Sequence, residues 1–81
     1  MTLPIGKIDS AEDLGRVLRA RRKELGLTQA ELAGLSGVGT RFVSDLERGK
    51  PTAHLGLALV IAQNLGLVLE ARLRGWDGEA S

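Results

Sequence analysis

The sequence predicts a mainly α-helical bundle of about four helices, completed by one β-strand near the C-terminus. Three observations carry that expectation. Apolar residues recur at helical spacing in four stretches, each closed by glycine: Gly26, the group Gly34, Gly37 and Gly39, then Gly49, then Gly66. Beyond Gly66 the period shortens to two. The composition, 43% hydrophobic and 26% charged in 81 residues, is that of a single folded domain with a small core.

In chain order, residues 1–9 form a short arm in which Pro4 and Gly6 exclude a helix, while Leu3, Ile5 and Ile8 allow an extended segment. Ser10 is placed to cap the first helix, with Glu12 and Asp13 in its first turn, where the helix dipole favours anions. That helix runs to about Leu25, with Leu14, Val17, Leu18, Arg21 or Arg22, and Leu25 on its inner side. The fourth helix spans about residues 53–64. Leu55, Ala58, Leu59, Ala62 and Leu65 form one expected inner face, and Leu57, Val60 and Ile61 a second apolar patch. Residues 67–74, LVLEARLR, alternate as a half-buried strand, with Leu67, Leu69, Ala71 and Leu73 on one side. A lone strand cannot satisfy its own backbone, so its partner is either the N-terminal arm or the same strand of a second subunit. The chain thus divides into the arm, a helical domain over residues 10–66, a dimerisation strand over 67–74 and a tail over 75–81. An obligate homodimer with Leu57, Val60, Ile61, Leu67, Leu69, Ala71 and Leu73 in its interface satisfies both the strand and the second patch of the fourth helix.

The centre of the pattern is residues 27–49. Thr28 and Glu31 have the spacing of a capping box, opening a helix that carries Ala30, Leu32 and Ala33. Three glycines in six residues then break it. A second short helix follows over about residues 40–48, with Val43 and Leu46 inward and Thr40, Arg41, Ser44 and Asp45 outward. Gly49 stops it, and Pro51 prevents continuation. This is a helix-turn-helix by pattern, and a second helix with short polar and Arg side chains outside suits the major groove of DNA. Thr40 and Arg41 are expected at base edges, with Ser44 and Asp45 one turn on. Asp45 could accept from a cytosine amino group or orient Arg41. Gln29, Gly39, Lys50 and Thr52 are expected on phosphates, with Arg19 and Lys23 as further candidates. The net charge of +1 conceals a balance of +4 between Arg16 and Lys50, so the overall charge does not argue against nucleic acid, and what matters is where the cations sit in the fold.

Several classes are excluded. With no cysteine there is neither a disulfide nor a thiolate zinc site. His54 is the only histidine and has no carboxylate at ligand spacing, so neither catalysis nor a metal or other cofactor is expected. Gly37-x-Gly39 lacks the strand and third glycine of a nucleotide loop. The first ten residues lack the apolar run of a signal peptide, and no stretch approaches a bilayer span, so a cytoplasmic protein without membrane contact is expected.

Leu27-Thr28-Gln29-x-x-Leu32-Ala33, Gly37-Val38 and Val43-Ser44-x-Leu46-Glu47-x-Gly49 resemble the Xre/Cro family, with its lambda-repressor-like fold. Adding Leu14-Gly15, Arg19-x-Arg21-Arg22-Lys23, Asp45-Leu46-Glu47-Arg48-Gly49-Lys50 and the Leu-rich strand, the chain resembles HipB-type antitoxins. The resemblance implies an ion pair between Arg22 and Glu47, strands paired between two subunits, a palindromic operator bound by the dimer, and a HipA-type kinase toxin held inactive. It also marks a departure. Gly39 stands where the family usually has a Ser or Thr that caps the recognition helix and can touch phosphate, and Gly caps only weakly. Rival readings are a phage-type regulator without a toxin, and a protein-interaction module with weak DNA binding that uses Trp76, Asp77 and Glu79 as partner contacts.

Overall fold

Capping chemistry decides where each helix begins. In a computed structural model of the chain, which describes residues 6–75, four helices follow in order: α1 (Ala11–Glu24), α2 (Gln29–Ser36), α3 (Thr40–Glu47) and α4 (Leu55–Asn64). Ser10 is extended and its Oγ accepts from the Asp13 amide at 3.0 Å, which opens α1. The Asp13 carboxylate in turn accepts from the Asp9 amide at 2.9 Å, and that bond above all holds its pKa below the usual carboxylate range. Thr28 and Glu31 form a complete capping box on α2, with reciprocal bonds of 3.0 and 2.8 Å. On α4 the cap is His54, whose Nδ1 accepts from the Leu57 amide at 3.3 Å. The expected start near residue 53 therefore moves to Leu55.

All four helices close in the same way. The amide of the glycine beyond each C-terminus bonds back into the last turn, and the next residue's amide reaches one residue deeper. These outer bonds are Leu27 to the Arg22 carbonyl, Val38 to Ala33, Lys50 to Asp45 and Leu67 to Ala62, at 3.0–3.1 Å. The motif needs a left-handed residue, supplied for example by Gly37 at φ +71° between α2 and α3.

Each helix contributes to one core. Leu18 from α1, Leu32 from α2, Val43 from α3 and Ile61 from α4, with Leu65 just beyond it, are essentially inaccessible. Burying each of these side chains is worth about 1.5–3 kcal/mol. Ala33, Leu46, Ala58 and Ala62 fill the space between them. Where α1 meets α3, a side chain is missing. A Cβ on Gly15 of α1 would lie 2.5 Å from the Glu47 carbonyl oxygen and 2.6 Å from that of Leu46. The backbones of α1 and α3 are thus in direct contact, which only glycine permits. Polar ties complete the frame: Arg21 Nε donates to the Leu65 carbonyl at 2.8 Å, and Asn64 Nδ2 to Ser36 Oγ at 2.9 Å.

Two expectations about inner faces are corrected. On α4 the buried stripe is Ala58, Ile61, Ala62 and Leu65, while Leu55 and Leu59 are exposed. Ile61 at 1% exposure belongs to the core and cannot lie on an outer patch, where Leu57 and Val60 remain half-buried. The expected inner face is thus right at Ala58, Ala62 and Leu65, while Ile61 joins it in place of Leu55 and Leu59. Leu25 is likewise exposed, because the chain leaves α1 at that residue.

Residues 67–74 form no strand ladder with other described residues. Leu67 is half-buried, while Val68, Leu69, Ala71 and Leu73 are exposed. Gly6 and Ile8 approach from the other end of the chain. Together with Leu67, Val68 and Leu69 they edge an apolar groove of about 150 Å³, floored by Leu14, Val17, Leu18 and Ala62. The arm over residues 1–5 and the tail from Trp76 lie outside the described residues, as do the contacts expected of Trp76, Asp77 and Glu79.

Candidate nucleic-acid interface

The orientation of α3 is set from its inner side. Arg22 of α1 is 7% exposed and Glu47, the last residue of α3, is 8% exposed. Arg22 Nε donates to Glu47 Oε2 at 2.6 Å and Nη2 to Oε1 at 3.0 Å, a bidentate pair. The spare Arg22 Nη1 donates to the Leu27 carbonyl at 2.8 Å, and Gln29 Nε2 adds a bond to Glu47 Oε1 at 2.9 Å. One network therefore joins α1, the turn before α2, the start of α2 and the end of α3. The Glu47 bond raises the already high pKa of Arg22 against the opposing effect of burial, so the guanidinium stays charged. Among the described residues no buried side-chain polar atom lacks a partner.

The outer side is built differently. Arg41, Asp45, Arg48, Gly49, Lys50 and Pro51 line a shallow depression of about 350 Å³. At its floor the Asp45 side chain is 14% exposed, whereas the three cations around it are 54–88% exposed. Asp45 Oδ1 accepts from Arg48 Nη2, while Oδ2 lies 3.8 Å from Arg41 Nε and 3.6 Å from Lys50 Nζ. Arg48 Nη1 also donates to Ser44 Oγ at 2.9 Å.

Of the residues expected at base edges, Thr40 and Arg41 stand exposed at the start of α3, whereas Ser44 and Asp45 are engaged by Arg48. Of those expected at phosphates, Lys50 joins the depression, and Thr52 is exposed in the loop that follows. Arg19 and Lys23 are exposed on α1, outside the depression. Gln29 is half-buried and donates toward Glu47, which leaves one side-chain amide hydrogen and the first backbone amides of α2 for outward contacts. Gly39 occupies the cap position of α3 in extended conformation, without any side-chain cap, and space around it is open. The sequence reading assigned no role at the interface to Arg48. Its spacing was a sufficient signal, since it lies three residues from Asp45 and four from Ser44 on one helix face. Gly15 entered only as a mark of the family pattern, although a glycine in mid-helix, where alanine would be favoured by about 1 kcal/mol, is itself a signal of close packing.

Two short helices joined by a tight turn, the second with a cationic outer face, define a helix-turn-helix regulator. The helix-turn-helix family model HTH_3 matches residues 18–70, and the chain belongs to that family, in its Xre/Cro branch. An HTH-type transcriptional regulator of Sinorhizobium fredii, y4mF, is 48% identical over 64 residues, covering 79% of this chain and 84% of the relative. Another HTH-type transcriptional regulator, from Methanothermobacter thermautotrophicus, is 48% identical over 50 residues, covering 62% and 72%. Among solved structures, a HipB variant in complex with an O2 20mer superposes with a TM-score of 0.79 at 28% identity, covering 86% of this chain and 97% of that one. A chain of a HipA-HipB-O2-O3 complex does so at 0.79 and 27%, covering 86% and 99%. The protein is a DNA-binding helix-turn-helix transcriptional regulator with a HipB-like fold. Its family is generally non-enzymatic, and no helix among the described residues is long and apolar enough to cross a membrane.

Proposed function

We propose that this chain is the HipB-like antitoxin of a type II toxin–antitoxin operon, a homodimeric repressor that binds a palindromic operator in its own promoter and neutralises a HipA-like kinase. The observation that carries this reading is the extent of the likeness. It spans nearly the whole of the HipB chains, the segment beyond α4 included, where the helix-turn-helix alone would account for less. The exposed Leu69, Ala71 and Leu73 support a strand that pairs between two subunits, and Leu67, Leu57 and Val60 are half-buried. A two-fold dimer would set two copies of α3 about 34 Å apart, the spacing of successive major grooves on one DNA face. Thr40 and Arg41 would read bases, with Lys50, Thr52, Gln29, Gly39, Arg19 and Lys23 positioned toward the backbone.

The test has two arms. Truncation after Gly66 is expected to convert the sedimenting species from dimer to monomer, and to abolish tight binding to the promoter upstream of its gene. A truncated chain that still sediments as a dimer would move the interface elsewhere. The product of a neighbouring kinase-like gene, co-expressed and purified, should form a stoichiometric complex with the full chain. A neighbouring frame unrelated to kinases, with promoter binding intact, would leave a stand-alone regulator.

A further inference from the structure

We propose that Asp45 is a positioning residue that sets specificity at this interface: an internal counter-anion that gathers Arg41, Arg48 and Lys50 and weakens their hold on any phosphate that is not accompanied by the correct base. The inference rests on the reading that α3 enters the major groove, and it changes the part Asp45 plays there.

Geometry carries it. Among the described residues Asp45 is the one carboxylate lining the depression, and it lies beneath its cations rather than beside them. Oδ1 accepts from Arg48, and Oδ2 faces Arg41 and Lys50 at 3.8 and 3.6 Å. A cytosine amino group would have to compete with these cations, so Asp45 is poorly placed to read bases itself. The Ser44 hydroxyl is drawn into the same arrangement through Arg48. Base reading then falls to Arg41 and Thr40. It is the Nε of Arg41 that faces Asp45, which leaves the two terminal nitrogens as an open fork. Such a fork matches O6 and N7 of guanine, the commonest specific contact in the major groove.

The energetic consequence follows from how non-specific binding arises. Random duplex is held by cations that neutralise phosphates and release counterions. A carboxylate within 4 Å of three such cations offsets their charge and repels an approaching phosphate. Guanine presents neutral acceptors at that edge and is repelled far less. Asp45 therefore penalises backbone contact more than base contact, which is discrimination by a built-in repulsive element.

The experiment compares full-length wild type, Asp45→Asn and Asp45→Glu on two probes: duplexes enriched by the wild type from a random pool, and the unselected pool at the same length. Asp45→Asn is expected to bind the unselected pool about tenfold more tightly at low salt. Its log–log salt slope should steepen by about one per subunit. The ratio of enriched to unselected affinity should fall about tenfold or more, with an unchanged circular dichroism spectrum. Asp45→Glu, which keeps the charge, should restore weak binding to the unselected pool. Two results would overturn the proposal: equal weakening on both probes with an unaltered slope, which marks a merely structural side chain, or no change in either. Failure of the underlying reading looks different, because a wild type that enriches no sequence from the pool is not a base reader at all.

Discussion

Helix α3 handles charge in opposite ways on its two sides. Inside, Glu47 is buried, bound by Arg22 through two bonds and by Gln29 through a third, and the Arg22 guanidinium is itself held by the Leu27 carbonyl. Outside, two residues earlier, Asp45 faces three cations that are mostly solvated and only one of which is close enough for a hydrogen bond. The inner arrangement defines a position, and the outer one defines a field. A regulator needs both, since a recognition helix must be fixed to the domain yet present side chains that can adjust to a base edge.

The largest expected effect lies inside. Glu47→Ala leaves the Arg22 guanidinium buried without its counter-ion, and such losses amount to about 3–5 kcal/mol. Urea unfolding should show it, while Arg22→Met combined with Glu47→Leu should recover much of the loss, because an apolar pair needs no partner. A Glu47→Ala protein destabilised by no more than an ordinary surface variant, within about 0.5 kcal/mol, would erase the distinction between the two sides.

Next comes Gly15→Ala. The added methyl would press into the Leu46 and Glu47 carbonyls, and overpacking of this kind is worth about 1–3 kcal/mol of destabilisation. Gly34→Ala is its control, because the same atom in α2 would meet nothing within 4 Å. There alanine's better helix propensity should stabilise by up to about 1 kcal/mol. Thermal midpoints moving in the same direction for both variants would contradict the contact at Gly15.

On the outer side stability and binding should separate. Arg41→Ala, at a side chain 88% exposed, should leave unfolding within about 0.5 kcal/mol of wild type. It should weaken binding to the preferred duplex by about 1–3 kcal/mol and relax the preference at one base position. Fluorescence titration against duplexes varied one pair at a time would reveal an even loss at all positions if Arg41 held only a phosphate. The smallest change is at the head of α3. Gly39→Ser supplies the missing cap in a conformation, φ −80° and ψ 154°, that serine adopts readily, and should raise stability by about 0.5 kcal/mol.

Sequence alone told most about local chemistry and least about direction. The caps at Ser10 and Thr28 and the glycine stops were legible because each is a short-range hydrogen-bond requirement written in adjacent residues. The inner side of α3 was legible too, since Val43 and Leu46 stand out against polar neighbours. Helix α4 was legible only in part, because apolar residues nearly encircle it: Ala58, Ala62 and Leu65 were expected inward and are buried, but Ile61 was expected outside and Leu55 and Leu59 inside. The Arg22–Glu47 pair was expected from the family resemblance, but its burial and the added bonds from Gln29 and to the Leu27 carbonyl emerge only when α1, α2 and α3 converge on it. Asp45 was hard to place for a related reason. Its partners were visible as neighbours on a helix, but not the fact that it lies beneath them.

The bare contact at Gly15 has a consequence for how such a protein can change its target. Where α1 meets α3 the contact is made by main-chain carbonyls, atoms that every amino acid shares. The pose of α3 at that point is therefore indifferent to which residues decorate its far side. Thr40, Arg41 and Ser44 become a replaceable cassette on a fixed mount, and a new vocabulary can be installed there without rebuilding the machine that holds it.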